Sequence, residues 1–581
     1  MDIKNEINSA LKDLLRELTK EKACPPKGGN FLVEKPQNES FGDYSSNVAL
    51  VAYKVLSSKY KVYKTPLELA KQIIVLLNTK YLIHNANISR VEAVAPGFIN
   101  FYLSEKYLFS QLEKVLEQKE KFGSKNEDPN KKVVVEYSSP NIAKPFTVGH
   151  LRSTIIGDAI ANLLTANGWK VYRDNHLGDW GTQFGKQIYA IKTWGNESEI
   201  EKSENPVKNL VALYVKFHEE AEKNPELEEK AREWFKKLED GDPEARRLWK
   251  KCVDWSLKEF KIIYEKLGVE FTENDGLGYG EAFFEDKMGG VIRELEKKGL
   301  LKKGEEGAKL IFFDKDKYPP LMILKQDGAT LYATRDLATD KFRLEKYGND
   351  TVVINEVGAE QSLYFNQLFQ VEKMLGWAKD GQRIHIKHGL YRFKDQKMST
   401  RKGNAIWLEE VLEEAIKRAE SLGSDKKVAE DVGIGALKWN DLKRTPQQDI
   451  VFEWDEILNM QGDSGPYIQY TYVRTQSVLS KAKNEISFAR SHLAKLEAEE
   501  VSLLRALNNF PEIVAAAGEK FAPNILCNYL FDLSQKFNLF YQKHKIIGSD
   551  NEDFRLNLTR GVGQVLKNGL NLLGIKAPEK M

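Results

Sequence analysis

Cysteine is scarce in this 581-residue chain: Cys24, Cys252 and Cys527 are the only three, they lie far apart, and none belongs to a CxxC pair. That spacing excludes a disulfide framework and a cysteine-built zinc site, and the three are expected to be buried, reduced thiols. No apolar run approaches the roughly 18 residues that a membrane-spanning helix needs. A GxxxxGK[ST] loop and a sustained GxGxxG fingerprint are both missing, which removes the two commonest phosphate-binding loops. No repeat recurs at a fixed period. Charge excess is lacking too: 87 Lys and Arg against 85 Asp and Glu leave a net +2, so composition alone does not call for a nucleic-acid partner. The opening MDIKNEINSALKDLLRELTKEK is amphipathic and carries acidic residues, which signal and transit peptides avoid, so a cytoplasmic protein is expected.

At this length one hydrophobic core is not enough, and about three to four domains is the natural expectation. Residues 1–121 mix helical stretches with short strands such as SRVEAVAP and GFINFYL, an α+β pattern. FGSKNEDPNKK (122–132) has the Gly, Pro, Asn and charge of a linker. The segment 122–440 then alternates strand and helix: VVVEYSS, LRSTIIGDAIANLLTANG and WKVYRDNHL form a βαβ unit, and TVVINEVG, SLYFNQLFQVEKMLG and RIHIKHGLYRF follow later. This predicts a Rossmann-like, doubly wound parallel sheet in a multidomain α/β chain. A charged helical insertion at about 195–268 interrupts it, its charge runs reading as solvated helix faces. From 441 to 581 no strand alternation returns, and an all-α domain is expected.

In an open parallel sheet, ligands sit beyond the carboxyl ends of the strands, where helix N-termini offer free N–H groups to phosphate. The loop NIAKPFTVGH lies at such a place, bringing Lys144 and ending in Gly149-His150 at a helix start. The glycine lets backbone approach a nucleotide, and the imidazole can donate to a phosphate; the competing reading is a histidine that caps the helix. Some 250 residues later, KDQKMSTRKGN (394–404) gathers Lys394, Lys397, Arg401 and Lys402 beside Ser399 and Gly403. A cationic loop of this kind can stabilise charge developing on a leaving pyrophosphate, and one well-placed donor contributes on the order of 3 kcal/mol.

The pairing is similar to the His-Ile-Gly-His and Lys-Met-Ser-Lys signatures of the class I aminoacyl-tRNA synthetases. Within them, EYSSPNIAKPFTVGHLRST, HLGDWGTQFG, LYATRDLA, VGAEQ, GDSGPYIQYTYVRTQ and the closing LGIKAPEKM resemble the arginyl-tRNA synthetases, and FGDYSSNVAL with GFINFYL carries the likeness into the N-terminal region. The resemblance implies formation of arginyl-adenylate from ATP and L-arginine, then transfer of the arginyl group to its cognate tRNA. ATP would bring Mg²⁺ with it, no protein-bound metal cluster would be needed, and the protein would be a monomer. The main rival is a catalytically weak homologue that binds tRNA or regulates.

The resemblance also implies residue roles. Tyr332 and Asp336, one helical turn apart, would read the guanidinium, and a carboxylate accepting two parallel bonds suits a planar cation. Glu136, Ser139, Asn141 and Gln361 would hold the amino-acid ammonium and carboxylate. Lys144, Thr147, Gly149, His150, Lys397 and Ser399 would bind ATP, with Lys144, His150 and Lys397 the catalytic set. Here the sequence departs from the pattern, since Thr147 replaces the first signature histidine and Thr400 the second signature lysine, whose charge Lys144 is thought to supply. Tyr364 stands where a histidine with a secondary nucleotide contact is more usual. For tRNA, Phe98 and Asn100 fit a stacking ring beside a base-reading amide, with plain packing as the alternative. Tyr467, Tyr470, Tyr472, Arg474 and Gln476 suit an anticodon loop, although at helical spacing some of these tyrosines must be core. Met581 would reach the same surface.

Overall fold

The computed structural model describes residues 3–19, 30–36, 38–60, 63–79, 87–304, 307–314, 317–392, 406–421, 425–482 and 496–581. The chain divides into two compact units, one of residues 1–122, 478–510 and 535–565, the other of residues 123–477, 511–534 and 566–581.

The first unit carries a four-stranded antiparallel sheet in the order Val33–Glu34, Tyr44–Ser46, Phe98–Leu103, Ile88–Val94. Its helices cover the apolar strand face: Val48, Ala52, Leu69, Ile73 and Leu77 are fully buried with Ile99, Phe101 and Leu103. Helical segments of the C-terminal region complete this unit, tied to it by the ion pairs Arg505–Asp43 at 2.9 Å and Lys536–Glu39 at 3.0 Å.

The second unit is built on a four-stranded sheet, β1 (Asp128–Glu136), β2 (Trp169–Asp174), β3 (Val352–Gly358) and β4 (Arg383–His388), every neighbouring pair parallel, in the order β4-β3-β1-β2. Chain order runs outward in both directions from the β1/β3 pair, which makes that junction the topological switch point, where doubly wound sheets bind ligands. Around the sheet run α1 (Val148–Ala166), α2 (Pro243–Leu267), α3 (Tyr332–Tyr347) and α4 (Ser362–Leu375). Val133, Val134 and Val135 of β1 are fully buried, as a central parallel strand covered on both faces requires. Helix α1 is buried almost all round, and it approaches β1 so closely that a Cβ on Gly157 would lie 2.2 Å from the Tyr137 Cβ.

Deep ion pairs fix α1. Arg152 bonds Asp441 through Nε at 3.0 Å and Nη2 at 3.2 Å and donates to the Gln448 carbonyl at 2.8 Å, while Tyr391 donates to the same carboxylate at 2.7 Å. With every charged atom bonded, this pair carries a geometry that a lone buried charge could not.

Residues 197–267 fold as four helices, and their charges pair across exposed faces, as in Arg247–Glu197 at 2.7 Å and Lys251–Glu201 at 3.1 Å. Exposed pairs of this kind are worth about 0–1 kcal/mol each, so they keep the helices soluble rather than hold them in place. Three short antiparallel strands, Lys302–Lys303, Lys309–Ile311 and Leu321–Leu324, follow.

Two expectations change. The 122–132 linker is shorter than its composition suggests, because β1 begins at Asp128, which pairs with Trp169 ahead of a bulge; a strand that borrows its bonds from β2 needs no apolar pattern. The C-terminal region is not wholly helical, since Ile450–Val451 pairs in parallel with Tyr391–Arg392. Beyond it, helices Gly465–Leu479, Ala498–Glu519, Pro523–Lys543 and Glu552–Leu572 dominate. Cys252 and Cys527 are buried and free, and Cys24 lies outside the described residues. No helix among the described residues is long and apolar enough to cross a membrane.

Candidate active site

After β1 the backbone turns through three left-handed residues that are not glycine, Ser138 (φ 72°), Ser139 (φ 46°) and Ala143 (φ 56°). Such conformations cost on the order of 1 kcal/mol or more each and persist where surrounding bonds impose them. Here the Ser139 N–H donates to Asn175 Oδ1 at 3.0 Å, the Ile142 N–H to the Gly178 carbonyl at 3.1 Å, and the Gly178 N–H to the Pro140 carbonyl at 3.1 Å. Gly178 must lack a side chain, because a Cβ there would meet Asn141 Oδ1 at 2.5 Å.

This strained loop, the ends of β1 and β3, and helix α3 enclose a cavity of about 260 Å³ at the switch point. Glu136, Ser139, Asn141, Tyr332, Asp336 and Gln361 all line it. Four side chains of α3 descend into it as a stripe at near-helical spacing: Tyr332 is 58% exposed at the rim, the Asp336 side chain 27%, Asp340 3% and Arg343 2% at the floor. Arg343 ties Glu136, Asp174 (2.8 Å) and Asp340 (3.0 Å) together. Burial works to raise the Glu136 pKa, but the Arg343 guanidinium outweighs it and holds the carboxyl below its usual range.

Asp336 is different, because no arginine among the described residues pairs with it. Burial pushes its carboxyl up, opposed by His176 and by the hydrogen bond that Tyr364 donates. A partly buried carboxylate with a hydroxyl and a distant imidazole as its neighbours suits an incoming cation. Ser139 Oγ, His176 Nε2 and Asn355 Oδ1 are buried in the same lining without a hydrogen-bond partner, a combination expected where a polar ligand completes the set.

At the N-terminus of α1, the Thr147 N–H donates to His150 Nδ1 at 3.0 Å, with the Thr147 hydroxyl 3.1 Å from the same nitrogen. Both sequence readings of this histidine therefore coexist: Nδ1 caps the helix, and the proton is left on Nε2, which keeps the ring a donor. Burial, reinforced by His388 and Lys144, pushes the imidazole down to about 4, so it is neutral at physiological pH. Lys144 is likewise lowered by burial, with Glu281 opposing. Gly149 is exposed, and among the described residues a Cβ there would touch only Thr147 Oγ1 at 3.4 Å, so none of them demands a glycine. Close approach by a ligand would.

Lys397, Ser399, Thr400, Arg401 and Lys402 lie outside the described residues. The chain that follows them is anchored at α1: Thr147 and Trp407 form an antiparallel bridge, the Val148 N–H donates to the Ile406 carbonyl at 3.1 Å, and the Leu408 N–H to the Phe146 carbonyl at 2.8 Å.

The tRNA candidates separate. Phe98 (38% exposed) and Asn100, which accepts from Ser45 Oγ at 2.7 Å, line one cavity of about 370 Å³ in the first unit, whereas Tyr102 is packed beneath the Arg90 guanidinium. On the helix from Gly465, Tyr467 packs against Phe531 and Tyr472 is buried, while Tyr470 is exposed with Arg474 over its ring at 5.0 Å. Met581 packs against the cluster of Ala419, Ala429 and Val432. Tyr364, which stands where a histidine is more usual, donates to Asp336 in the cavity. His176, Glu281, Arg343 and Asn355 also line it and were not anticipated; the HLGD run that contains His176 was the one available signal.

The model for tRNA synthetases class I (R), catalytic domain, matches residues 111–454, that for the arginyl tRNA synthetase N terminal domain residues 1–103, and that for the DALR anticodon binding domain residues 468–581. The chain is 41% identical over 566 residues to arginine–tRNA ligase of Clostridium perfringens, covering 95% of this chain and 96% of that protein, and 38% identical to that of Clostridioides difficile, covering all of both. Among solved structures it is similar to arginyl-tRNA synthetase of Plasmodium falciparum, with a TM-score of 0.83 at 26% identity over 100% of this chain and 99% of that one. Matches that run the length of the chain, joined to a cavity whose unpaired carboxylate suits a cation, lead to one conclusion: the chain belongs to the arginyl-tRNA synthetases of class I.

Proposed function

We propose that the switch-point cavity binds L-arginine and that the turn from Lys144 to His150 binds ATP, so that the arginine carboxylate attacks the α-phosphate to give arginyl-adenylate and pyrophosphate. The observation that carries this reading is Asp336, a partly buried carboxylate without a guanidinium partner among the described residues, in a cavity whose floor already uses Arg343 to satisfy the other acids. The guanidinium would lie on Asp336 beneath Tyr332. Glu136 would take the ammonium, with Ser139, Asn141 and Gln361 completing the hold on the amino-acid end. A ligand lacking the guanidinium would leave Asp336 partly buried and unpaired, so lysine and citrulline are rejected.

For ATP, the N-terminus of α1, Nε2–H of neutral His150, Thr147, the open backbone at Gly149 and Lys144 form a donor set for phosphate, to which Lys397 and Ser399 are added. Mg²⁺ arrives on ATP as part of the substrate, since the donors in this turn suit phosphate oxygens and not a cation. The ribose hydroxyl at the tRNA 3′ end then attacks the acyl carbon. No protein nucleophile takes part; positioning and charge stabilisation lower the barrier.

Residues 1–121 dock the tRNA corner through Phe98 and Asn100, residues 122–440 carry the chemistry, and residues 441–581 read the anticodon, with Tyr467, Arg474 and Met581 as contacts. In this reading the protein works as a monomer in the cytoplasm. Incubation with radiolabelled arginine, ATP, Mg²⁺ and cognate tRNA should give acid-precipitable counts, and pyrophosphate exchange should stay weak until tRNA is added. A folded preparation that charges no tRNA would overturn the reading.

A further inference from the structure

We infer that His176 is a second reader of the guanidinium, and that arginine enters the cavity in exchange for a proton held on His176 Nε2. This deepens the arginine-binding reading and rests on it.

The ring is held so that only one of its nitrogens can change state. Nδ1 lies 3.0 Å from the Tyr279 carbonyl, which can only accept, so Nδ1 carries a proton in both forms of the ring. The ring packs beside Phe284, with centroids 5.8 Å apart. Nε2 is buried, has no hydrogen-bond partner among the described residues and faces the cavity, 3.8 Å from Asp336 Oδ1. That distance is too long for a hydrogen bond and lies at the outer reach of an ion pair.

The groups around the ring come from every neighbouring element. Glu136 ends β1, Asp336 and Arg343 lie on α3, Glu281 follows the Tyr279 loop, Asp179 lies three residues on from the ring, and Tyr364 on α4 reaches it through Asp336. Burial opposes charge on the imidazole, but Glu136, Asp336 and Glu281 outweigh it together with Arg343, so the ring titrates above its ordinary value. When the ring is protonated, Nε2–H places a cation against the carboxylate that the guanidinium must reach. Two like charges about 4 Å apart in a site shielded from water repel far more strongly than they would in bulk solvent.

Loss of one proton to solvent removes that repulsion and exposes the Nε2 lone pair. The guanidinium has five N–H donors, and a bidentate carboxylate uses two of them. Nε2 can accept a third. The exchange balances as one guanidinium in and one proton out, with no covalent bond changed. An ammonium cannot offer three coplanar bonds, two to Asp336 and one to His176.

The test is calorimetric titration of the full chain with L-arginine at pH 6 to 8, in phosphate and in Tris, whose different ionisation heats count released protons. The wild type should release a proton fraction that approaches one at the acid end and declines toward pH 8, with affinity rising up to about tenfold per pH unit where release is complete. Burial also raises the carboxyls of Asp336 and Glu281, and any proton that they release on binding would persist in a variant without the imidazole. His176→Asn, which keeps an acceptor but cannot titrate, should bind with a nearly pH-independent affinity and release almost no proton. Binding by the wild type without proton release overturns the inference and leaves the arginine reading intact, and it does so even if the variant misfolds. An unchanged proton count in His176→Asn overturns it too. Absence of arginine binding by the wild type removes both.

Discussion

His150 accepts the backbone N–H of Thr147 at Nδ1, 3.0 Å away, so the first turn of α1 is closed by the same ring that presents Nε2–H beyond it. Protonating Nδ1 would break that cap, and burial already sets the imidazole at about 4, against about 6.5 for an unfolded histidine. Between those values the unfolded chain binds the proton and the folded chain does not. Stability from this group is therefore complete above pH 6.5 and lost as pH falls toward 4. From pH 7 to 4, urea unfolding should show the wild type losing on the order of 2 kcal/mol more than His150→Asn. Parallel losses in the two proteins would mean that the ring is not held neutral.

Asp336 should govern arginine and leave ATP alone. Its carboxylate is partly buried, and removing one partner of a hydrogen-bonded charge pair costs about 2–5 kcal/mol. Asp336→Ala is expected to raise KM for arginine on the order of 10²-fold or more while KM for ATP moves about twofold or less. Equal losses for both substrates would show the carboxylate to be structural.

Much of this architecture is legible in the sequence because local rules and tertiary need agree. VVVEYSS reads as a buried strand and forms one, and Gly168 ends α1 with φ 82°. The six residues expected around arginine reach one cavity because they sit at strand ends and a helix start, places that motif and periodicity locate well. His176, Glu281 and Tyr364 come from three further segments, and nothing in their local pattern points inward. Arg343 is the plainest case. In TDKFRLEKYG it is one charge among several, and only the fold reveals that it is 2% exposed and binds three carboxylates while its neighbours Lys341 and Lys346 reach the surface. The strand Ile450–Val451 escapes for the opposite reason, being two residues long with no period to read.

Replacing Arg343 should be costly in a pH-dependent way. Arg343→Met fills the space but leaves Glu136, Asp174 and Asp340 without their shared cation, and breaking a buried pair in this manner costs about 3–5 kcal/mol. The released carboxylates can be neutralised by protonation, so the loss, measured by urea unfolding, should be larger at pH 8 than at pH 5. Glu136 loses its orientation as well, so KM for arginine should rise even where the variant remains folded. A loss that does not vary with pH would mean that the three acids find other partners.

Lys144 tests how charge is divided across the nucleotide site. It sits on the strained loop before α1, with its ammonium lowered by burial and faced by Glu281, while the signature loop has Thr400 where a second lysine is usual. If Lys144 supplies that missing charge to the departing pyrophosphate, Lys144→Ala should slow adenylate formation on the order of 10²-fold, about as much as Lys397→Ala. The slowing should appear in single-turnover kcat and not in arginine affinity, since the contact strengthens as charge builds on the leaving group. Lys144→Arg should recover part of the rate, because a cation remains but its geometry changes. A near-normal rate in Lys144→Ala would assign the charge to Arg401 or Lys402, and the double variant with Lys397→Ala would then be no slower than the Lys397 change alone.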